Sequence, residues 1–216
     1  MTQLTSTMVT QLNNMNMAAQ RASLGTLVNG LEYGSIPTDA VGTFTPLIGM
    51  KYVVAPTDAD VNDVLAATLL TTTVQTVTTG ITDPDVPRFL SVTGGDANVT
   101  GNVVIVGTDI NGDAITDTIA SSGTSTVDGD VAFASVTSIA LPVYAVAGTE
   151  TISVGVTVDI GLPVNILDAA QVLANYFDGS DDAGTVTAGG TLSTSVFAVA
   201  GSMDGTKEVA FIILGS

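Results

Sequence analysis

The chain has 216 residues, a net charge of −17 at pH 7, 45% hydrophobic residues and a mean hydropathy of +0.50. It contains no Cys and no His, which excludes disulfides, thiolate nucleophiles, Cys/His zinc sites and imidazole bases. Its four basic residues, Arg21, Lys51, Arg88 and Lys207, cannot neutralise a phosphate track or hold an anionic bilayer, so no nucleic acid and no membrane surface is expected as a partner.

Of the 21 acidic residues, 18 are Asp and three are Glu (Glu32, Glu150 and Glu208). Asp favours turns and strand ends whereas Glu favours helices, so the bias fits a β protein with its charges in loops. The longest apolar run, residues 139–147, contains Pro142. It is far shorter than the roughly 20 residues of a spanning helix. The N-terminus has no basic segment ahead of an apolar core, so no export signal is expected. The apolar excess is therefore expected to be buried within strands and between subunits.

Residues 1–40 differ in pattern from the rest of the chain. Leu4, Met8, Leu12 and Met15 recur at helical spacing and form one apolar stripe. The segment is read as a short helical or extended N-terminal arm. Its stripe packs either on its own domain or, in the functional reading, on a neighbouring subunit. Residues 34–56 carry Pro37, Pro46 and Pro56 and are read as a loop-like hinge, and residues 57–63, with Asp58, Asp60 and Asp63, as a solvated turn.

From residue 64 the period is two. Stretches 64–70, 74–79, 88–93, 102–108, 114–119, 131–141 and 151–160 are rich in Val, Ile and Thr and read as strands. Turn residues separate them at intervals of about ten, the spacing of a β-sandwich or barrel. Asn111-Gly112 predicts a type I′ hairpin, with Asp109 and Asp113 able to widen the loop. Gly161-Leu162-Pro163 ends a strand and opens a second small β unit. It contains strands at 172–177, 185–187, 192–199 and 207–214; a short helix at 168–173 is the alternative to the strand at 172–177, which ends in the Asp178-Gly179 turn. The expected organisation is an arm (1–40), a β-sandwich-like body (41–160) and a second β unit (161–216), the last two separate or continuous.

Two acidic constellations offer chemistry. Asp109, Asn111, Asp113 and Asp117 are spaced like the start of a calcium loop. Ala114 and Ala120 stand where an EF-hand needs its Gly and bidentate Glu, so the solvated hairpin is the preferred reading. Asp178, Asp181 and Asp182 around Gly179 are likewise read as a turn. Paired carboxylates for glycoside hydrolysis would need a cleft with stacking aromatics, and the chain has no Trp. A Ser nucleophile has no base in reach of any motif, and Gly94-Gly95 and Gly189-Gly190 join strands rather than opening a phosphate-binding helix. No catalytic residue, metal or cofactor is expected.

The text from Asp85-Val86-Pro87-Arg88 through Gly107-Thr108-Asp109-Ile110-Asn111-Gly112 to Asp117-Thr118-Ile119 resembles segments of the β-rich virion structural proteins of tailed bacteriophages. So does the later order of a Gly-Leu-Pro turn, a strand ending in Asp178-Gly179, and a last strand after Asp204-Gly205-Thr206-Lys207. The resemblance implies a non-enzymatic building block of a phage particle, on the capsid exterior as a decoration or cement protein. The implied partners are the major capsid protein and further copies of the chain, as a homo-oligomer with a trimer expected. The alternatives are a tail or head-fibre component and a bacterial surface adhesive module. The expected attachment residues are Leu4, Met8, Leu12 and Met15.

Overall fold

A computed structural model describes residues 49–146 and 148–214. The expected arm, with Leu4, Met8, Leu12 and Met15, lies outside the described residues. The strands are, in order, β1 Gly49–Val54, β2 Asp60–Leu69, β3 Gln75–Val77, β4 Arg88–Gly94, β5 Thr100–Thr108, β6 Ala114–Ser122 and β7 Thr126–Phe133. They continue as β8 Ser135–Leu141, β9 Thr151–Gly161, β10 Val172–Phe177, β11 Ser180–Asp181, β12 Thr185–Thr187, β13 Val196–Ala198 and β14 Val209–Leu214. The fold is all-β, as the period-two patterning predicts. The helical element among the described residues is a single 3-10 turn at Ala169–Gln171, held by a reciprocal Asp168–Gln171 capping box.

The strands pair antiparallel in three sheets. One has the order β3-β8-β5-β6 and another β12-β13-β9-β4-β7, with β2 also on β9. A first core fills the space between these two sheets, built from inward residues such as Leu90, Val92, Val103, Ile105, Ile139 and Val154. Each such aliphatic side chain taken from water contributes roughly 1.5–3 kcal/mol before entropy is counted. The third sheet, β1-β14-β10-β11, carries a second core around Phe211, which meets Phe197 edge-on at 5.0 Å and stacks on Tyr52 at 6.0 Å.

Strand β9 is the spine of both. One edge pairs with β4 along its length, from Gly94↔Ile152 to Arg88↔Ile160. The other edge is shared, β2 taking the first half (Leu69↔Thr151) and β13 the last residues (Val196↔Gly161). Ile152, Val154 and Val156 point into the first core, while Val158 and Ile160 continue the same face into the second. On the opposite face Ser153, Gly155 and Thr157 are small and buried.

Several local expectations are corrected. Residues 49–54 are strand and not loop: Met50, Tyr52 and Val54 alternate inward, and the strand pairs with β14 from Gly49↔Leu214 to Val54↔Val209. Pro56 stands just past its end, and Pro37 and Pro46 lie outside the described residues. The turn expected at 57–63 is in its second half a strand, bulged between Asp60↔Val156 and Leu65↔Val154. The single strand expected at 131–141 is two strands in different sheets, with Ala134 donating to the Thr108 carbonyl at the crossing. No Gly or Pro punctuates that crossing. Residues 126–130, read as a spacer, are the first part of β7.

The type I′ turn is not at Asn111-Gly112. Asp109 Oδ1 accepts the N–H groups of Asn111 (2.8 Å) and Asp113 (3.0 Å), which holds a five-residue turn between Thr108↔Ala114 with Gly112 alone at positive φ (85°). Two successive positive φ angles occur instead at Asp178 (49°) and Gly179 (77°), between the paired residues Phe177 and Ser180.

Candidate functional site

The calcium-like spacing in the β5–β6 hairpin is not a shared site. Asp109 spends one carboxylate oxygen on turn amides, while Asp117, three residues into β6, reaches across to β7 and accepts from Asp130 N at 3.2 Å. Gly129 leaves room for that carboxylate, because a Cβ there would overlap it. Burial pushes the Asp117 carboxyl up, and the Thr118 and Asp130 amides oppose the shift. Asp117 thus ties the edges of the two sheets, while the Gly123 turn farther along is closed by Ser125 N donating to Ser122 O. The second constellation also disperses. Asp182 Oδ1 accepts from Gly184 and Ala200, Asp178 forms the hairpin turn, and Asp181 lies exposed on β11.

The most buried charged group is one that sequence reasoning left in a strand. Arg88, 0% exposed, lies at the start of β4 where the two cores meet. Its NH1 donates to Thr57 O (2.9 Å) and Asp85 Oδ1 (3.3 Å), and its NH2 donates to Thr157 O. Burial pulls its pKa down, and the Asp85 carboxylate holds it up. Asp85 in turn accepts from Thr57 N and Oγ1 and from Val86 N. This network joins the β1–β2 connector, β4 and β9, which is a stapling role rather than a reactive one.

A shallow groove of about 220 Å³ lies beside it, lined by Asp60, Ser91, Thr126, Asp128, Thr157 and Asp159 among others. Burial raises the Asp159 carboxyl and the like charge of Asp128 adds to this, while the Thr157 hydroxyl and Arg88 oppose it. Among the described residues, no group of three or more His, Cys, Asp or Glu side chains is gathered to hold a metal ion.

The other feature unforeseen from sequence is at the opposite end of the sandwich. Turns 70–74, 95–99, 123–125 and 142–150 meet there. Leu70 N donates to Glu150 O, Tyr144 N to Thr71 O, and Gly95 N to Thr151 O. Glu150, 2% exposed, turns its carboxylate inward to accept from Ala145 N (2.9 Å) and from Val146 N. Leu69, Val74, Val143 and Val146 stand exposed on this end, four of the seven large exposed apolar residues described. Glu150→Ala frees two amides in the loop and is expected to cost about 2 kcal/mol, the scale of hydrogen bonds to a charged acceptor. Urea denaturation reads the loss, and the Ala145 and Val146 amides should exchange with deuterium markedly faster.

Comparison with protein-family models, with curated proteins and with solved structures finds no match for this chain.

Proposed function

We propose that this chain is a non-enzymatic structural protein of a tailed-phage virion, and among such proteins a capsid decoration or cement protein on the outside of the head. What supports the reading is the ordered run of strand-and-turn text, from residue 85 to 119 and again from 160 to 214, that resembles such proteins. The all-β body supports it: two small cores on one spine, with charged side chains spent on turns and staples. A decoration protein acts by adding buried area across capsomer boundaries, so its chemistry is contact and not turnover. The partner is the major capsid protein, and the attachment falls to the N-terminal stripe Leu4, Met8, Leu12 and Met15.

The test is co-sedimentation with undecorated heads. The parent protein should pellet with them at a stoichiometry that covers the capsid lattice. Met8→Asp combined with Leu12→Asp should lower binding on the order of a hundredfold or more, because two carboxylates enter an apolar contact. Copy numbers of only a few per particle would point to the tail or a head fibre. Absence from particles would remove the reading altogether.

A further inference from the structure

The charges of the described body are unevenly placed. Residues 64–82 and 131–149 contain no acidic and no basic residue, in a chain that carries 21 acids. Both segments run into the end of the sandwich where turns 70–74, 95–99, 123–125 and 142–150 meet. Two acids fall on those turns. Glu150 is buried with its carboxylate turned onto loop amides, and Asp96 has Oδ1 occupied by the N and Nδ2 of Asn98. The far end of the same sandwich carries Asp83 and Asp85 before β4, Asp109 and Asp113 in the β5–β6 turn, and Asp58 in the connector to β2.

We infer that this charge-poor end is a self-association surface, and that its occupant is a second copy of this chain. Copies arranged about a rotation axis bring the same region of each molecule together at the axis. At net −17, most regions would then set carboxylates against carboxylates, a repulsion that fades only beyond about 8–10 Å at ordinary salt. The end bearing Leu69 (53% exposed), Val74 (65%), Val143 (44%) and Val146 (58%) meets its own copy against far less of that opposition, since Asp96 is the one acid on its turns that is not buried. These residues project from a strand end and turns that are already fixed. Gln75 Nε2 donates to Leu69 O at 3.0 Å, Tyr144 N donates to Thr71 O at 3.1 Å, and Glu150 holds the 145–146 backbone. A fixed apolar surface loses little conformational freedom on docking.

The experiment is sedimentation velocity of the pure full-length chain over a concentration series, at low and at high salt. The parent is expected to associate reversibly, and more tightly as salt screens its acidic remainder. Val74→Asp with Val146→Asp should weaken association on the order of a hundredfold, because four carboxylates then converge in each dimer contact. Val74→Ser with Val146→Ser should weaken it less and in the same direction. Leu167→Asp, at an exposed apolar position elsewhere (69%), should leave it unchanged. Circular dichroism melts of all variants should match the parent, since none of the three positions is buried. A parent that stays monomeric at every concentration and salt overturns the inference. So does a double-Asp variant that associates like the parent, or a Leu167→Asp variant that loses association equally. No capsid is present in the assay, so its failure is separate from failure of the virion reading.

Discussion

Arg88→Ala is expected to destabilise the protein by about 3–5 kcal/mol, the cost of breaking a buried charged network at one partner. Thr57 O and Thr157 O lose the guanidinium donor at once, and Asp85 Oδ1 keeps only Val86 N. The largest fully buried side chain of the described body is also removed, which leaves a void where the cores meet. Arg88→Lys should recover less than half of the loss. A single ammonium on a flexible stem cannot present the two nitrogens that span from the connector to β9. Equilibrium urea unfolding measures both variants. A loss below about 1 kcal/mol for Arg88→Ala would mean that the connector and β9 are held together without the guanidinium.

Gly155→Ala is expected to be at least as damaging, on the order of 3 kcal/mol or more, through overpacking against backbone. A Cβ at this position would overlap the Asp60 carbonyl oxygen and press on Val61, both on β2. Neither can rotate away as a side chain could. The bulge in β2 between Asp60 and Leu65 brings that backbone over β9, so relief requires parting the two strands. Gly49→Ala is the matched control: a Cβ there makes ordinary contact with Ile212, and its effect should stay within about 0.5 kcal/mol. Thermal melts of the pair, run side by side, decide the matter. Equal melting temperatures would show that β2 is not seated on β9 in this way.

Period-two patterning carried most of the architecture. It located 172–177 and 185–187 to the residue, and placed the cores of β4, β5, β6 and β9, because Val, Ile and Thr alternate there between Gly- and Asp-rich breaks. It failed where the pattern runs on through a change of sheet, as at Ala134, since a crossing made by small residues leaves no breaker behind. It failed at β1 because Pro56 is a loop signal that stands just outside the strand. At Asn111-Gly112 the neighbouring Asp109 captured the turn amides, and the side chain rather than the dipeptide decided the turn type. The two buried charges had a legible signal that charge alone obscured. Arg88 is in phase with Leu90 and Val92, and Glu150 with Ile152 and Val154; every one of these six is 2% exposed or less. A charged residue at an inward position of a strand pattern is a staple or a clamp, and phase is what separates it from a solvated one. The exposed apolar end was not legible, because it is assembled from four turns far apart in sequence.

The pairing of β1 with β14 sets an order of events during synthesis. Every buried residue of the first core lies between Val64 and Val156, so a contiguous length of nascent chain holds all that it needs. The second core draws on Tyr52 and Val54 at one end and on Val209, Phe211 and Ile213 at the other. Strand β1 leaves the ribosome first among the described strands and has no partner among them until β14 emerges, since Gly49 sits opposite Leu214. Until then its backbone is open to any other edge nearby. The codons of β14 therefore control when that exposure stops, and a ribosome stalled short of Val209 holds a closed sandwich with β1 still unclaimed among the described strands.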